Sequence, residues 1–294
     1  MATTSSSPNS VGGRGLVHAF AHLFRLPVPI LAALAGCATL HALNPTAPWQ
    51  HYSLLATVLA CMYAAACVIN DYWDVEKDRI DHPERPLPSG QILLPQAYWI
   101  AVLLFAAALI AAVPLGVYSL LLVAIATVLL WYYSHILTYS GILGNGIVAA
   151  IVAALIFLGS LVAHRPFAML YPTGFLFCYS LAKEIIWDIH DAVGDRQQGV
   201  ITLANRWGDQ AAFGVAWGLI IILLSSIPIA LFSIPMTHPL LFAGFSAGTL
   251  LSLAIALLHY QHQRSETAYQ KFIHLERLSM LLGVMGLLGA APCR

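Results

Sequence analysis

The chain has 294 residues, 60% hydrophobic and 9% charged, against about 25% charged residues in an ordinary soluble domain. That composition rules out a soluble globular enzyme, a disordered chain and a nucleic-acid binder with a basic surface. Thirteen Lys and Arg balance thirteen Asp and Glu, so no polyanionic partner is implied. In chain order, residues 1–15 begin MATTSSSPNSVG and read as a polar, disordered tail. Residues 16–294 read as a single transmembrane domain. A crossing helix needs about 20 apolar residues, which places spans at 16–43, 52–70, 93–114, 117–133 and 143–162. Four more follow at 172–189, 210–232, 239–259 and 272–291. The expectation is an all-α membrane protein of about nine helices, with local kinks at Pro27, Pro29 and Pro228. Arg25 and the first two prolines interrupt the opening stretch, and no small-residue cleavage site follows, so no cleaved signal peptide is read there. Cys37, Cys61, Cys67, Cys178 and Cys293 show no CxxC spacing and read as small buried hydrophobes.

Charge placement gives the expected topology. Lys77, Arg79, Arg85, Arg196, Arg206, Arg264 and Lys271 fall on one side of these spans, and Arg165 and Arg294 on the other. The positive-inside rule makes the first side cytoplasmic, or its organellar equivalent. Every acidic residue, from Asp71 to Glu276, lies on that same side. Acidic residues play no part in the rule, so their placement points to chemistry at the cytoplasmic face.

Two polar segments interrupt the apolar pattern, NDYWDVEKDRIDHPERPLPSG at 70–90 and KEIIWDIHDAVGDRQQG at 183–199. Each carries Asp at i, i+3 and i+7: Asp71, Asp74 and Asp78, then Asp188, Asp191 and Asp195. On a helix those offsets put three carboxylates on one face. The two sets are 117 positions apart throughout, and each ends on an arginine, Arg79 or Arg196. An internal pseudo-repeat is the expected origin, with two helix pairs facing each other across a cavity. Like charges on one stripe repel, and an ionisable group at mid-membrane costs about 2.5–3.5 kcal/mol, less near the interface. Something positive is therefore expected between the sets. Hard carboxylate oxygens without a His or Cys ligand set favour Mg²⁺, which binds through one or two carboxylates plus substrate phosphates.

A diphosphate also needs fixed cations. Lys183, Arg25 and Arg85 are the candidates, the first with an ion pair to Glu184 as its alternative and the others with positive-inside anchoring. The chemistry that fits is ionisation of a lipid diphosphate, with Mg²⁺ and basic groups stabilising the leaving group and the cavity excluding water. An allylic isoprenoid suits a greasy tunnel, and the π faces of Trp131, Tyr132, Tyr133, Phe157, Tyr179 or Trp187 could shield its cation. Each of these aromatics also reads as a packing or interface residue. His190 is either a proton acceptor or a spacer turned away from the ions. A cation transporter built on intramembrane carboxylates is a further class, but its sites lie near the midplane rather than at one face.

At these residues the sequence resembles the UbiA superfamily of intramembrane prenyltransferases. Residues 70–78 read as its first NDxxDxxxD motif, and Arg85-Pro86-Leu87-Pro88-Ser89-Gly90 as the RPLPSG continuation. Asp188, Asp191, Asp195 and Arg196, with Gly199, Thr202, Leu203 and Gly208, look like its second motif. Tyr133-Ser134 with Gly144-Asn145 resembles the junction of its fourth and fifth helices, and Arg25-Leu26-Pro27 stands where members begin their first helix. Thr138 stands where many members have lysine, and Tyr63 where the 4-hydroxybenzoate branch has arginine. The run 184–195 is closer to the geranylgeranylglyceryl-phosphate synthase and homogentisate prenyltransferase branches, with Trp187 and His190 as departures from the former.

The resemblance implies nine transmembrane helices around a central cavity, capped on the cytoplasmic face by the Asp-rich segments. It implies Mg²⁺-dependent transfer of a prenyl group from a polyprenyl diphosphate to a small aromatic, quinol-precursor or lipid acceptor. The alternative is an intramembrane terpene cyclase that ionises the diphosphate without an acceptor. Carried over by position, Asp71, Asp74, Asp78, Asp188, Asp191 and Asp195 become the metal and catalytic residues. Asn70, Lys183, Arg25, Arg85 and Tyr133 are assigned to the substrate.

Overall fold

Apolar segments leaving water must satisfy their own backbone polar groups, and the helix does so within a single segment. In the computed structural model, which describes residues 13–133, 136, 140–197 and 199–293, the chain follows that rule. Among the described residues there are twelve α-helices and no strand beyond an isolated bridge between Met236 and Pro292. The first six are α1 (Gly13–Leu23), α2 (Val28–Leu43), α3 (Trp49–Trp73), α4 (Val75–Asp81), α5 (Leu94–Ala112) and α6 (Val117–Tyr133). The rest are α7 (Ile142–Val162), α8 (Leu170–Gln197), α9 (Leu203–Trp207), α10 (Asp209–Ser233), α11 (Pro239–Gln263) and α12 (Glu266–Leu287).

By length and composition, five helices can cross a membrane: α3, α5 with the turn that follows it, α7, α10 and α11. The pair α1 and α2, bent by 52° at the break between them, makes a sixth if it is one span. The other three of the nine expected spans fall short on this measure. At 17 residues α6 is too short, while α8 carries Lys183 and Glu184, and α12 Glu276 and Arg277, within their apolar runs. Large apolar side chains such as Phe232 and Leu240 are 93% and 85% exposed, as suits a protein whose outer solvent is lipid.

The prolines act differently from one another. The first span breaks at Arg25–Pro27, where Arg25 adopts a left-handed φ of 52°. Pro29 falls in the first turn of α2, where a missing N–H costs nothing. Pro228 sits inside α10, which runs on from Asp209 to Ser233, so the expected kink there does not end the helix.

Packing brings the two Asp-rich segments together. α3 packs on α2 and α5, α8 on α7 and α10, and α12 on α11 and α2. Small residues let the backbones close: a Cβ on Gly36 of α2 would lie 2.2 Å from Leu59 Cδ1 on α3. Gly141, with φ +58°, opens α7 against the loop after α8, where a Cβ would meet the Ile201 carbonyl oxygen at 1.6 Å. Residues 198 and 1–12, the latter most of the expected tail, lie outside the described residues.

Candidate active site

The two aspartate sets are built differently. Asp188, Asp191 and Asp195 ride on the last turns of the unbroken α8. The first set straddles a break: Asp71 belongs to α3, Asp74 caps it with φ −90° and ψ 8°, and Asp78 belongs to α4. The expectation of one continuous helical stripe is therefore corrected at Asp74. The chain stays nearly helical through the break, since Asp74 N–H donates to the Asn70 carbonyl at 2.9 Å and Asp78 N–H to the Asp74 carbonyl at 2.8 Å.

All six aspartates line one cavity of about 860 Å³, together with Asn70, Arg25, Arg85, Lys183 and Tyr133. Every residue assigned from the sequence thus faces the same space. Deeper in, the wall is apolar, with Val58, Leu59 and Met62 from α3, Phe175 and Leu176 from α8, and Leu122 from α6. From Asp71 back to Val58, and from Asp188 back to Phe175, the helices travel about 20 Å at 1.5 Å per residue. The site combines a charged mouth with a greasy interior.

Most of the carboxylates are already partnered. The Arg25 guanidinium donates to Asp71 at 2.8 Å, and Arg85 grips both oxygens of Asp78 at 2.7 and 2.8 Å. Lys77 reaches from α4 to Asp195 on α8 at 2.6 Å and so ties the two sets to each other. Asn145 of α7 donates to Asp188 at 2.6 Å. The positive charge expected between the sets is supplied in part by the chain itself. Lys77 and Asn145 were not singled out for this from the sequence. Lys77 follows Asp74 by three positions, but nothing in the spacing shows that its partner lies 118 residues away.

Other expectations divide. Lys183 is buried in ion pairs, its ammonium 3.4 Å from Glu184 and 3.6 Å from Glu276, which is the alternative its neighbours allowed. Of the aromatics, Tyr133, Tyr179 and Trp187 line the cavity. Trp131 instead packs between Tyr98 and Phe105, and Tyr132 is half exposed. His190 stacks its ring on Tyr269 at 3.5 Å, and its nitrogens face Asp191 at 2.7 Å and Glu266 at 3.1 Å. Carboxylates only accept, so two such contacts suit the doubly protonated ring. Ser134 and Thr138 lie outside the described residues.

The electrostatics of the connecting segment follow from burial. It pushes the Asp74 carboxyl up to about 7 against the pull of Lys77. Asp78 is raised for the same reason, with Arg85 opposing. Burial works against the Lys77 charge, but its bond to Asp195 outweighs this and holds its pKa above the usual value. His82 is lowered by burial and by the nearby Arg85.

The donor set fits Mg²⁺. It is all oxygen, and among the described residues no three His, Cys, Asp or Glu side chains close on one point.

Residues 28–282 match the UbiA prenyltransferase family. The chain belongs to that family. Over 176 residues it is 36% identical to the digeranylgeranylglyceryl phosphate synthase of Sulfolobus acidocaldarius, covering 60% of this chain and 64% of that protein. The match thus spans slightly less than two thirds of that relative. The synthase of the same name from Saccharolobus solfataricus is 30% identical over 249 residues, covering 81% of this chain and 84% of that one. A UbiA homolog from Archaeoglobus fulgidus, solved bound to GPP and Mg²⁺, has the same fold. Its TM-score is 0.69 at 17% identity, covering 92% of this chain and 99% of that one. The resemblance seen in the sequence is borne out, and these relatives carry the name of the glyceryl-phosphate branch rather than the homogentisate one.

Proposed function

We propose that this protein transfers a prenyl group from a polyprenyl diphosphate to an acceptor within the membrane, in a Mg²⁺-dependent reaction. The observation that carries this is the lining of one cavity: six aspartates from two distant segments at its mouth, and apolar walls beyond. Asp71, Asp74, Asp78, Asp188, Asp191 and Asp195 would hold Mg²⁺, which when bound neutralises a diphosphate and eases its departure. Arg25 and Arg85 exchange their carboxylate partners for diphosphate oxygens, as guanidinium groups do well. Asn70 and Lys77 flank the same oxygens. The apolar walls hold the prenyl chain and keep water from the developing cation, with the Tyr133 π face beside it.

In this reading α6, α8 and α12 also cross the membrane, giving nine spans around a central cavity with its Asp-rich cap on the cytoplasmic side. The one-sided Lys and Arg residues support that orientation. The synthase names of the relatives support a lipid acceptor over a quinol precursor. Membranes containing the protein, given Mg²⁺, a labelled prenyl diphosphate and a panel of phenols, quinol precursors and prenylglyceryl phosphates, are expected to yield a prenylated adduct by mass spectrometry. Diphosphate release with no adduct across the panel, or a cyclic product formed without any acceptor, would contradict the transfer.

A further inference from the structure

Beyond the aspartates, four charged side chains meet on the cavity wall: Lys183 and Glu184 from α8, and Glu276 and Arg277 from α12. Two of each sign leave the group neutral, so no metal ion is required to balance it. Lys183 and Glu184 stand about one helical turn before Asp188, roughly 6–8 Å deeper along α8. This layer therefore lies just inside the one that holds the leaving group.

Two of its polar atoms lack a hydrogen bond. Oε1 of Glu276 is buried without a hydrogen-bond partner among the described residues. Its nearest cation, Lys183 Nζ, is 3.6 Å away, too far for a hydrogen bond. The indole Nε1 of Trp187 is orphaned in the same way, and its ring lies 4.3 Å from the same ammonium. One unmet acceptor and one unmet donor thus flank Lys183, both on residues of the cavity wall. Buried polar atoms are nearly always paired in native proteins, so such exceptions ask for a missing partner. A hydroxyl group answers both, since it donates one hydrogen bond and accepts another.

We propose that Glu276 and Trp187 receive the hydroxyl group of the acceptor substrate, and that Glu276 takes its proton as the oxygen is alkylated. The proposal rests on the prenyl-transfer reading above. The acceptor oxygen bonds to C1 of the prenyl chain, and the C1–O bond to the diphosphate breaks with its electron pair leaving on the diphosphate. The hydroxyl proton passes to Glu276 Oε1, and the Trp187 N–H holds the acceptor oxygen in line. Lys183 is a positioning residue that holds the Glu276 side chain and the indole in place.

The test uses the purified full chain in nanodiscs, with geranylgeranyl diphosphate as donor and two probes as acceptors. These are geranylgeranylglyceryl phosphate, which keeps one free hydroxyl, and its O-methyl ether. The wild type is expected to alkylate the first and not the second. Glu276→Gln is expected to lower kcat/KM for the hydroxyl probe at least about tenfold, and Trp187→Phe, which removes only the N–H, by a smaller factor of about three to ten. Both variants should bind a non-cleavable geranylgeranyl thiodiphosphate with Mg²⁺ as the wild type does. Unchanged acceptor kinetics in either variant overturns the proposal, and so does a parallel loss of analogue binding, which marks a purely structural role. A wild type that binds the analogue yet alkylates neither probe also overturns it. Failure of the wild type to bind the analogue defeats the prenyl-transfer reading itself.

Discussion

With its carboxyl raised to about 7, Asp74 holds its proton about half the time near neutral pH. Burial favours the neutral form, and a metal ion needs the ionised one. Below pH 7 a proton must be displaced before Mg²⁺ binds at this residue; above it, none is. Mg²⁺ affinity is therefore expected to fall about tenfold for each pH unit below 7 and to level off near pH 8. Metal titrations at pH 6 and pH 8 check this, and equal affinities would rule it out. Asp74→Ala or Asp191→Ala should each reduce turnover by roughly a hundredfold or more, the scale on which charge-stabilising groups act. Both proteins should still insert in the membrane. Wild-type rates in either purified variant would remove the assigned ligand role.

Among the helices, the Lys77–Asp195 pair joins the two motifs directly. Lys77→Met removes an ammonium bonded to the buried Asp195 carboxylate, and the expected cost is on the order of 1–3 kcal/mol. A thermal melt should show it, together with weakened binding of a prenyl thiodiphosphate. Gly141→Ala tests the other junction, where the left-handed backbone and the Ile201 carbonyl both exclude a side chain. It should lower stability by at least about 1 kcal/mol, and an unchanged melting temperature would show that the junction is looser than described. These contacts explain what could be read in advance and what could not. The i, i+3, i+7 spacing exposed both carboxylate sets because it is local. The partners Lys77, Asn145 and His190 acquired their roles from helices packed far apart in sequence, and no spacing carries that information. The break at Asp74 was only weakly signalled: Asp is a poor helix former that favours N-caps, but the same residue type recurs inside the unbroken α8.

At the scale of the whole molecule, hydropathy was enough to fix the class and most of the helices. The nine expected crossings exceed the five or six that length and composition single out, because α8 and α12 bring buried charge into otherwise apolar runs and α6 is short. Those same charges form the wall of the cavity, so the helices that are hardest to place by composition are the ones nearest the chemistry.

Five of the six aspartates have a partner of the chain's own making: Asp71 with Arg25, Asp78 with Arg85, Asp195 with Lys77, Asp188 with Asn145, Asp191 with His190. These internal pairs can hold the mouth in shape by themselves, so architecture and chemistry can be uncoupled by stripping divalent ions. EDTA should abolish turnover while leaving the melting temperature within about 2 °C, a shift on the order of 1 kcal/mol in a domain of this size. Added Mg²⁺ should then restore the rate without refolding. A protein that unravels in chelator would mean that these internal stand-ins are too weak to hold the mouth in shape.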